Sequence, residues 1–171
     1  INFGIPNFHG LNMNEEIIQS CINSIKSDRQ DLLNSITELE KSLCEWLNVE
    51  DSVIYCCPFE MNLSVIQTIV KNSDIVFIDE FCHFPLHFAF TLTNCKIVTF
   101  LHHSFDDLEC KIRIYQDSYN LWSRCNRWIC VESIYENDGT VLNISGLIEI
   151  KNKYKMRLIV DETLSFGVLG Q

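Results

Sequence analysis

Three short stretches of this chain each end on carboxylates: Ile75-Val76-Phe77-Ile78 on Asp79-Glu80, Trp128-Ile129-Cys130-Val131 on Glu132, and Arg157-Leu158-Ile159-Val160 on Asp161-Glu162. In an open α/β sheet, ligands bind outside the carboxyl ends of the strands. Acids in that place have two uses. They cap the following helix or bind loop amides, or they line a shared crevice and hold a cationic group, as an aspartate does for a pyridinium nitrogen. The third stretch continues through Thr163-Leu164-Ser165-Phe166-Gly167-Val168-Leu169-Gly170, a turn of small residues and glycines.

Glu80, His83 and His87 put zinc-ligand types within eight residues. Their order is not HExxH, and Pro85 between the histidines argues against a regular helical face, so no metal site is expected. His83 follows a strand-end acid and reads either as a satisfied, partly buried histidine or as a crevice residue that stacks on a flat ligand. His102-His103 repeats the pattern more weakly. For nucleophilic catalysis there is no GxSxG, and no cysteine has an obvious histidine partner in sequence. Cys56-Cys57 precede a helix, which lowers a thiol pKa, although small apolar core residues are the better reading. There is no P-loop and no GxGxxG. Phosphate would instead rest on free amides at the start of the helix after Phe59, where Pro58 has none to offer. The glycosylation sequons at Asn62 and Asn143 lie beside or within expected helices and read as chance matches.

The elements that must position these residues alternate. Ile17, Ile18, Cys21, Ile22 and Ile25 form a helical stripe that Asn12 or Asn14 could cap. Residues 27–34 read as a loop. Ser35-Ile36-Thr37-Glu38 reads as a capping box opening a helix with Leu39, Leu43, Trp46 and Leu47 on one face. Ser52 to Tyr55 reads as a strand broken by Pro58, and Met61 to Val70 as a helix. A histidine- and phenylalanine-rich segment, 81–93, precedes a strand from Lys96 to Phe100. Ser104 opens a helix to about Tyr115 with acids in its first turn, and a helix near Ser145 ends in Lys151, Lys153 and Lys155, both as the helix dipole favours. Asn137-Asp138-Gly139 is a turn. Short apolar strands without alternation, interleaved with helices, are buried on both faces. The expected fold is one three-layer α/β/α domain on a mostly parallel sheet, or most of one.

With 171 residues the chain can bury a full core. A hydrophobic share of 47% with 21% charged residues excludes a disordered chain. Its formal charge of −10 argues against nucleic acid, which needs a basic face. Nine scattered cysteines with no CxxC fit reduced, mostly buried thiols. No signal peptide or run of 18 apolar residues is visible. The chain opens on Ile1 and closes just after a strand and turn, as expected of a sequence cut at both ends, so such absences carry no information.

Together these stretches resemble the α-oxoamine synthases of the pyridoxal-phosphate fold-type I superfamily. Within them the chain is most similar to the subfamily of first, non-catalytic subunits of serine palmitoyltransferase. The resemblance runs, unevenly, over nearly the whole chain: Asn7-Phe8-His9-Gly10-Leu11, Leu39 to Leu43, Val53 to Tyr55, Asp74 to Glu80, Trp128 to Tyr135 and Asp138-Gly139. Its most specific part is Val160-Asp161-Glu162 followed by Ser165 to Gly170. It implies the large domain of an aminotransferase-like enzyme, with an entry segment and helix over 1–34 and a partial large domain over 35–171. The family's cofactor-stacking histidine falls on His83, its pyridinium aspartate on Asp161, and its phosphate-binding turn on Cys57-Pro58-Phe59, which makes His83, Asp161 and Phe59 the candidate pyridoxal-phosphate residues. The Schiff-base lysine is expected beyond Gln171, so no catalytic residue is assigned here.

The departures lean the same way. Pro58 stands where the family has glycine, Leu164 where catalytic members have histidine, and the glycine-rich segment expected between the first two helices shortens to Ser27–Ser35. The resemblance therefore implies a supporting chain, sharing pyridoxal phosphate with or leaving it to a catalytic second subunit. That pair would condense serine with palmitoyl-CoA in the first step of sphingolipid biosynthesis, at the cytosolic face of the endoplasmic reticulum, anchored by segments outside this stretch. Because His83 and Asp161 are of the catalytic type, a homodimeric α-oxoamine synthase binding its own cofactor stays open. So does a plain α/β binding or scaffold module.

Overall fold

A computed structural model of the chain describes residues 7–25 and 29–170. It forms two compact units, Ile1–Cys56 and Cys57–Gln171.

The first unit is helical. A short 3-10 turn at Leu11–Met13 leads to α1 (Glu15–Ile25), and α2 spans Arg29–Leu47. Asn14 caps α1 through its Oδ1, which accepts the Ile17 N–H at 3.1 Å. No residue of α1 is buried. Two expectations are corrected. Ser35 does not start a helix, because α2 already runs from Arg29, and the Ser35 hydroxyl donates back to the Asp31 carbonyl. The expected 34/35 division therefore lies inside a continuous helix, and of the expected 27–34 loop, residues 29–34 are helical while 27 and 28 lie outside the described residues. Ser52 to Tyr55 forms no strand. It is tied to α2 instead: the Ser52 hydroxyl donates to the Glu40 carbonyl and the Ile54 N–H to Glu40 Oε1, at 2.8 and 3.0 Å. A backbone amide satisfied by a side chain needs no strand partner.

The second unit is the α/β domain. Its order is α3 (Pro58–Ile69), β1 (Ile75–Asp79), α4 (Phe84–Thr93), β2 (Lys96–Phe100), α5 (Phe105–Ser118), β3 (Arg127–Glu132), α6 (Ile144–Lys153) and β4 (Arg157–Asp161). The four strands pair in the order β2-β1-β3-β4, all parallel. Every residue of β1 is buried, as is β3 after Arg127, so the central strands are covered on both faces. The cover comes as two helix pairs, α3 with α4 and α5 with α6. The core joins Phe77 and Ile129 of the sheet to Ile66, Phe90, Leu108, Ile112 and Leu147 of the helices.

At the amino ends of the strands, one residue ties the sheet together. Asp74 is 1% exposed, and its carboxylate accepts the Lys71 N–H, the Asn126 N–H and side-chain amide, and the Trp128 indole N–H, all between 2.9 and 3.2 Å. Burial alone would push this carboxyl up, but the four donors together outweigh it and hold it below the usual aspartate value.

The segment 81–93 contains α4, a helix with apolar residues almost all round. Pro85 does not break it, because it sits in the first turn, where a helix has no use for that amide.

Candidate functional site

Parallel pairing brings the strand-end acids to one side of the sheet. Glu132 and Asp161 are direct register partners, and Asp79 ends the neighbouring strand. Their surroundings differ. Asp79, 1% exposed, accepts the Phe81 N–H at 2.9 Å, the His103 N–H at 3.2 Å and the Tyr135 hydroxyl at 3.1 Å, and meets His102 Nδ1 at 2.9 Å. This acid is fully engaged by the protein. Burial, with Asp79 beside it, pushes the Tyr135 phenol up.

Glu132 is 4% exposed and accepts the backbone N–H of His83 on one oxygen and that of Glu136 on the other. Burial pushes its carboxyl above the usual value, against the pull of those two amides, and the Asp161 charge adds to the push. Glu136 in turn places Oε2 3.3 Å from His83 Nε2. The contacts close a ring: one buried carboxyl holds the backbones of two residues whose side chains pair with each other. His83 sits at the N-cap of α4 with its side chain half exposed.

Asp161 uses Oδ1 locally, accepting the Thr163 N–H at 2.8 Å and its hydroxyl at 2.5 Å. It also lies on the rim of a cavity of about 380 Å³ whose walls include Met61, Val65 and Ile66 of α3, Leu86 of α4 and Ile159 of β4. Phe59 goes elsewhere. Its ring stacks on Phe88 at 6.1 Å, and Phe88 stacks on Phe84 at 5.6 Å. The structure thus gathers His83 and Asp161 around Glu132 and places Phe59 in an aromatic row along α3 and α4. Glu80, His83 and His87 do not converge. Glu80 accepts the His102 N–H, His83 pairs with Glu136, and His87 lies in α4, its imidazole pushed down by burial. Among the described residues no group of three metal-type side chains could hold an ion.

The pyridoxal-phosphate residues can be tested against this geometry. For the flat ring, a half-exposed histidine and a strand-end aspartate are present. For the phosphate the start of α3 is a weakened seat. Pro58 has no amide to offer, and Glu60 adds a negative charge to the first turn, which Cys57 leaves without a side-chain cap. A helix start binds anions through free amides and its dipole, and this one has lost the amide at Pro58 and carries a carboxylate beside those that remain. Both changes weaken this helix start as a seat for a phosphate.

A second constellation was barely visible in the sequence. His102 Nε2 lies 3.1 Å from Thr140 Oγ1 and 3.2 Å from Asp138 Oδ2, and His103 Nε2 lies 2.7 Å from the same threonine oxygen. Asp138 is held below the usual value by the Thr140 N–H first and its hydroxyl second. The Phe81 ring stacks on His102 at 4.3 Å. The only signals were two histidines just after a strand and an Asp-Gly turn with a hydroxyl beside it.

A model described as aminotransferase class I and II matches residues 1–171, the whole chain. The chain belongs to that family. Among curated relatives, this aminotransferase-family chain is 28% identical over 180 residues to long chain base biosynthesis protein 1b of Oryza sativa, covering all of this chain and 37% of the relative. It is 26% identical to serine palmitoyltransferase 1 of Dictyostelium discoideum, over 99% of this chain and 37% of that one. With serine palmitoyltransferase 1 of Saccharomyces cerevisiae it shares 32% over 77% of this chain and 24% of the relative. It therefore spans well under half the length of these relatives. Of solved structures, a serine palmitoyltransferase from S. paucimobilis superposes with a TM-score of 0.74 at 16% identity, covering 88% of this chain and 39% of that one. The 8-amino-7-oxononanoate synthase of Francisella tularensis gives 0.65 at 16% identity, over 88% and 41%. At such identities the superpositions establish the fold: the parallel sheet here is the aminotransferase-like α/β fold that those enzymes share. No helix among the described residues is long and apolar enough to cross a membrane.

Proposed function

We propose that this chain is part of the supporting, non-catalytic subunit of a serine palmitoyltransferase, pairing with a second subunit that carries the cofactor-binding lysine. The complex would condense serine with palmitoyl-CoA to begin sphingoid-base synthesis, at the endoplasmic reticulum. The observation that carries the role is the start of α3: Pro58, which has no amide to offer, and Glu60, a carboxylate in the first turn, weaken the helix start on which the phosphate of pyridoxal phosphate would rest. The identity of the enzyme is supported by the match, over all or nearly all of this chain, to relatives named for long chain base biosynthesis and serine palmitoyltransferase 1. In this reading His83 and Asp161 are wall residues of a crevice completed by the partner, Phe59 belongs to the aromatic row beside it, and Asp161 borders an apolar cavity instead of gripping a cofactor by itself.

The catalytic homodimer is the second reading, favoured by His83 and Asp161 lying on either side of Glu132. One experiment separates the readings. The full-length protein, purified alone and dialysed against pyridoxal phosphate, should retain no cofactor absorbance and no borohydride-fixed label. Co-expressed with a catalytic serine palmitoyltransferase subunit, it should elute with that subunit as a cofactor-bearing complex. Retention of reducible cofactor by the lone chain would overturn the supporting role in favour of the homodimer. Failure to associate with the second subunit would leave the scaffold reading.

A further inference from the structure

We propose that His102 is a charged clamp, an imidazolium held between Asp79 of β1 and Asp138 of the β3–α6 loop, and that it sets the position of that loop. The available hydrogens decide the charge of the ring. Thr140 has one hydroxyl proton, which it donates to Asp138 Oδ1 at 2.7 Å. Its oxygen can then only accept, so the contacts from His102 Nε2 at 3.1 Å and His103 Nε2 at 2.7 Å are both N–H donations. At its other nitrogen, His102 Nδ1 meets Asp79 Oδ1 at 2.9 Å. Asp79 already accepts the Phe81 N–H, the His103 N–H and the Tyr135 hydroxyl, the donor set of an ionised carboxylate. That contact needs an N–H as well. With a proton on each nitrogen, the ring carries a positive charge.

Two carboxylates and an aromatic face around the ring suit that charge. Asp79 faces it from β1 and Asp138 from the β3–α6 loop. Glu80 accepts the His102 backbone N–H at 2.9 Å. The Phe81 ring lies parallel to it, 4.3 Å away, the arrangement in which an aromatic face attracts a cation. The Tyr135 ring stands at 82° to it, 4.5 Å away, and the His103 ring lies 3.9 Å away. From α5, Asp107 accepts the neighbouring Leu101 N–H and pairs with Lys111 instead of with the imidazole. His103 holds a left-handed backbone, φ 55°, which brings a second ring onto the same threonine; such strain persists where the surroundings over-determine it.

The clamp joins three connections. The β2–α5 turn supplies both histidines, and Asp79 also holds the Phe81 amide, two residues before His83. The β3–α6 loop is a small hairpin, with the Tyr135 N–H donating to the Thr140 carbonyl and the Leu142 N–H to the Ser133 carbonyl. Without the ring charge, Asp79 and Asp138 would lie on opposite sides of a neutral imidazole that must point a lone pair at one of them. The loop that carries Glu136, the partner of His83, would then loosen. The clamp does not depend on which subunit holds a cofactor.

The test uses the full-length protein with nitrogen-15-labelled histidine. Near neutral pH, both His102 ring nitrogens should resonate as protonated N–H groups, and a neutral tautomer would overturn the proposal. Hydrogen exchange is the second readout. In Asp138→Asn, which keeps a hydrogen-bond acceptor on an accessible side chain, the Tyr135, Gly139 and Leu142 amides should exchange about tenfold faster, the size expected of one hydrogen bond to a charged group. Amides of β1 and β2 should be unchanged. His102→Gln should loosen the same amides, and made in the Asp138→Asn background it should add little. Unchanged exchange in Asp138→Asn, or full additivity of the two substitutions, would show that the ring serves only as packing.

Discussion

The two ends of the sheet solve the burial of carboxylates in opposite ways. At the amino ends, one aspartate, Asp74, collects four donors and is held below the usual aspartate value. At the carboxyl ends, acids from three strands share the space, and Glu132 is pushed up because two backbone amides do not offset its burial and the charge on Asp161. The first arrangement is closed: each donor comes from β3, from the turn before it or from the residue beginning the β1 turn, and nothing is left to offer a ligand. The second is open, with loops hung on carboxyl groups and paired side chains half exposed. Stability and binding capacity are thus separated along the strand axis, as is general for parallel sheets whose loops carry the chemistry.

The largest test of this contrast is Asp74→Ala. It leaves the Trp128 indole and the Asn126 and Lys71 amides without their acceptor, and should cost roughly 3–5 kcal/mol in urea unfolding. If it cost no more than changes at the other end, the contrast would fail. Its pH signature is directional. A carboxyl whose folded value is depressed contributes stability that is present above the ordinary aspartate range and lost as pH falls through the folded value. Asp74→Asn should flatten that acid limb.

Tyr135→Phe comes next. It removes one donor from Asp79 and should cost about 1–2 kcal/mol by the same measurement. Glu132→Gln should change stability by less than about 1 kcal/mol near neutral pH, since one neutral acceptor still serves His83 while the weaker Glu136 contact is lost. Its sign with pH is opposite to that of Asp74. A carboxyl raised in the fold loses stability as pH rises from the ordinary glutamate range through its folded value, and the glutamine variant should lose that slope in a pH series of urea melts. The smallest effect is Glu136→Ala. Removing an exposed ion pair should alter stability by less than about 0.5 kcal/mol, yet it should shift the His83 ring resonances. Unchanged His83 signals would mean that the pair does not orient the ring.

Much of this architecture could be read in advance, for local reasons. The four strands of the sheet are short, mostly apolar runs, three of them ending on acids, and each forms within a residue of its expected place. Ser104 caps α5 as its spacing to the acids suggests, its hydroxyl accepting the Asp107 N–H. Failures came where local signals lacked long-range support. Ser35 to Glu38 has the order of a capping box, but the helix had already begun. Val53 and Ile54 are good strand residues, yet their stretch follows α2 instead of joining a sheet. The helix α4 went unread because a segment that is apolar almost all round carries no amphipathic period. For the site, His83 and Asp161 were visible as strand-end residues. Their partners were not, because nothing local connects His83 to a glutamate 53 positions on, or Asp79 to a histidine 23 positions away.

The strand order also sets a timetable. β1 meets β2 across one short helix, but it meets β3 only after a loop of about fifty residues has closed, the separation also spanned by the Asp74 contacts to Asn126 and Trp128. Closing longer loops costs more entropy before any contact repays it, and slows folding. During synthesis, therefore, the β1–β2 pair can settle while Asp74 is still without most of its donors. The three acids come together only when β4 emerges and aligns beside β3.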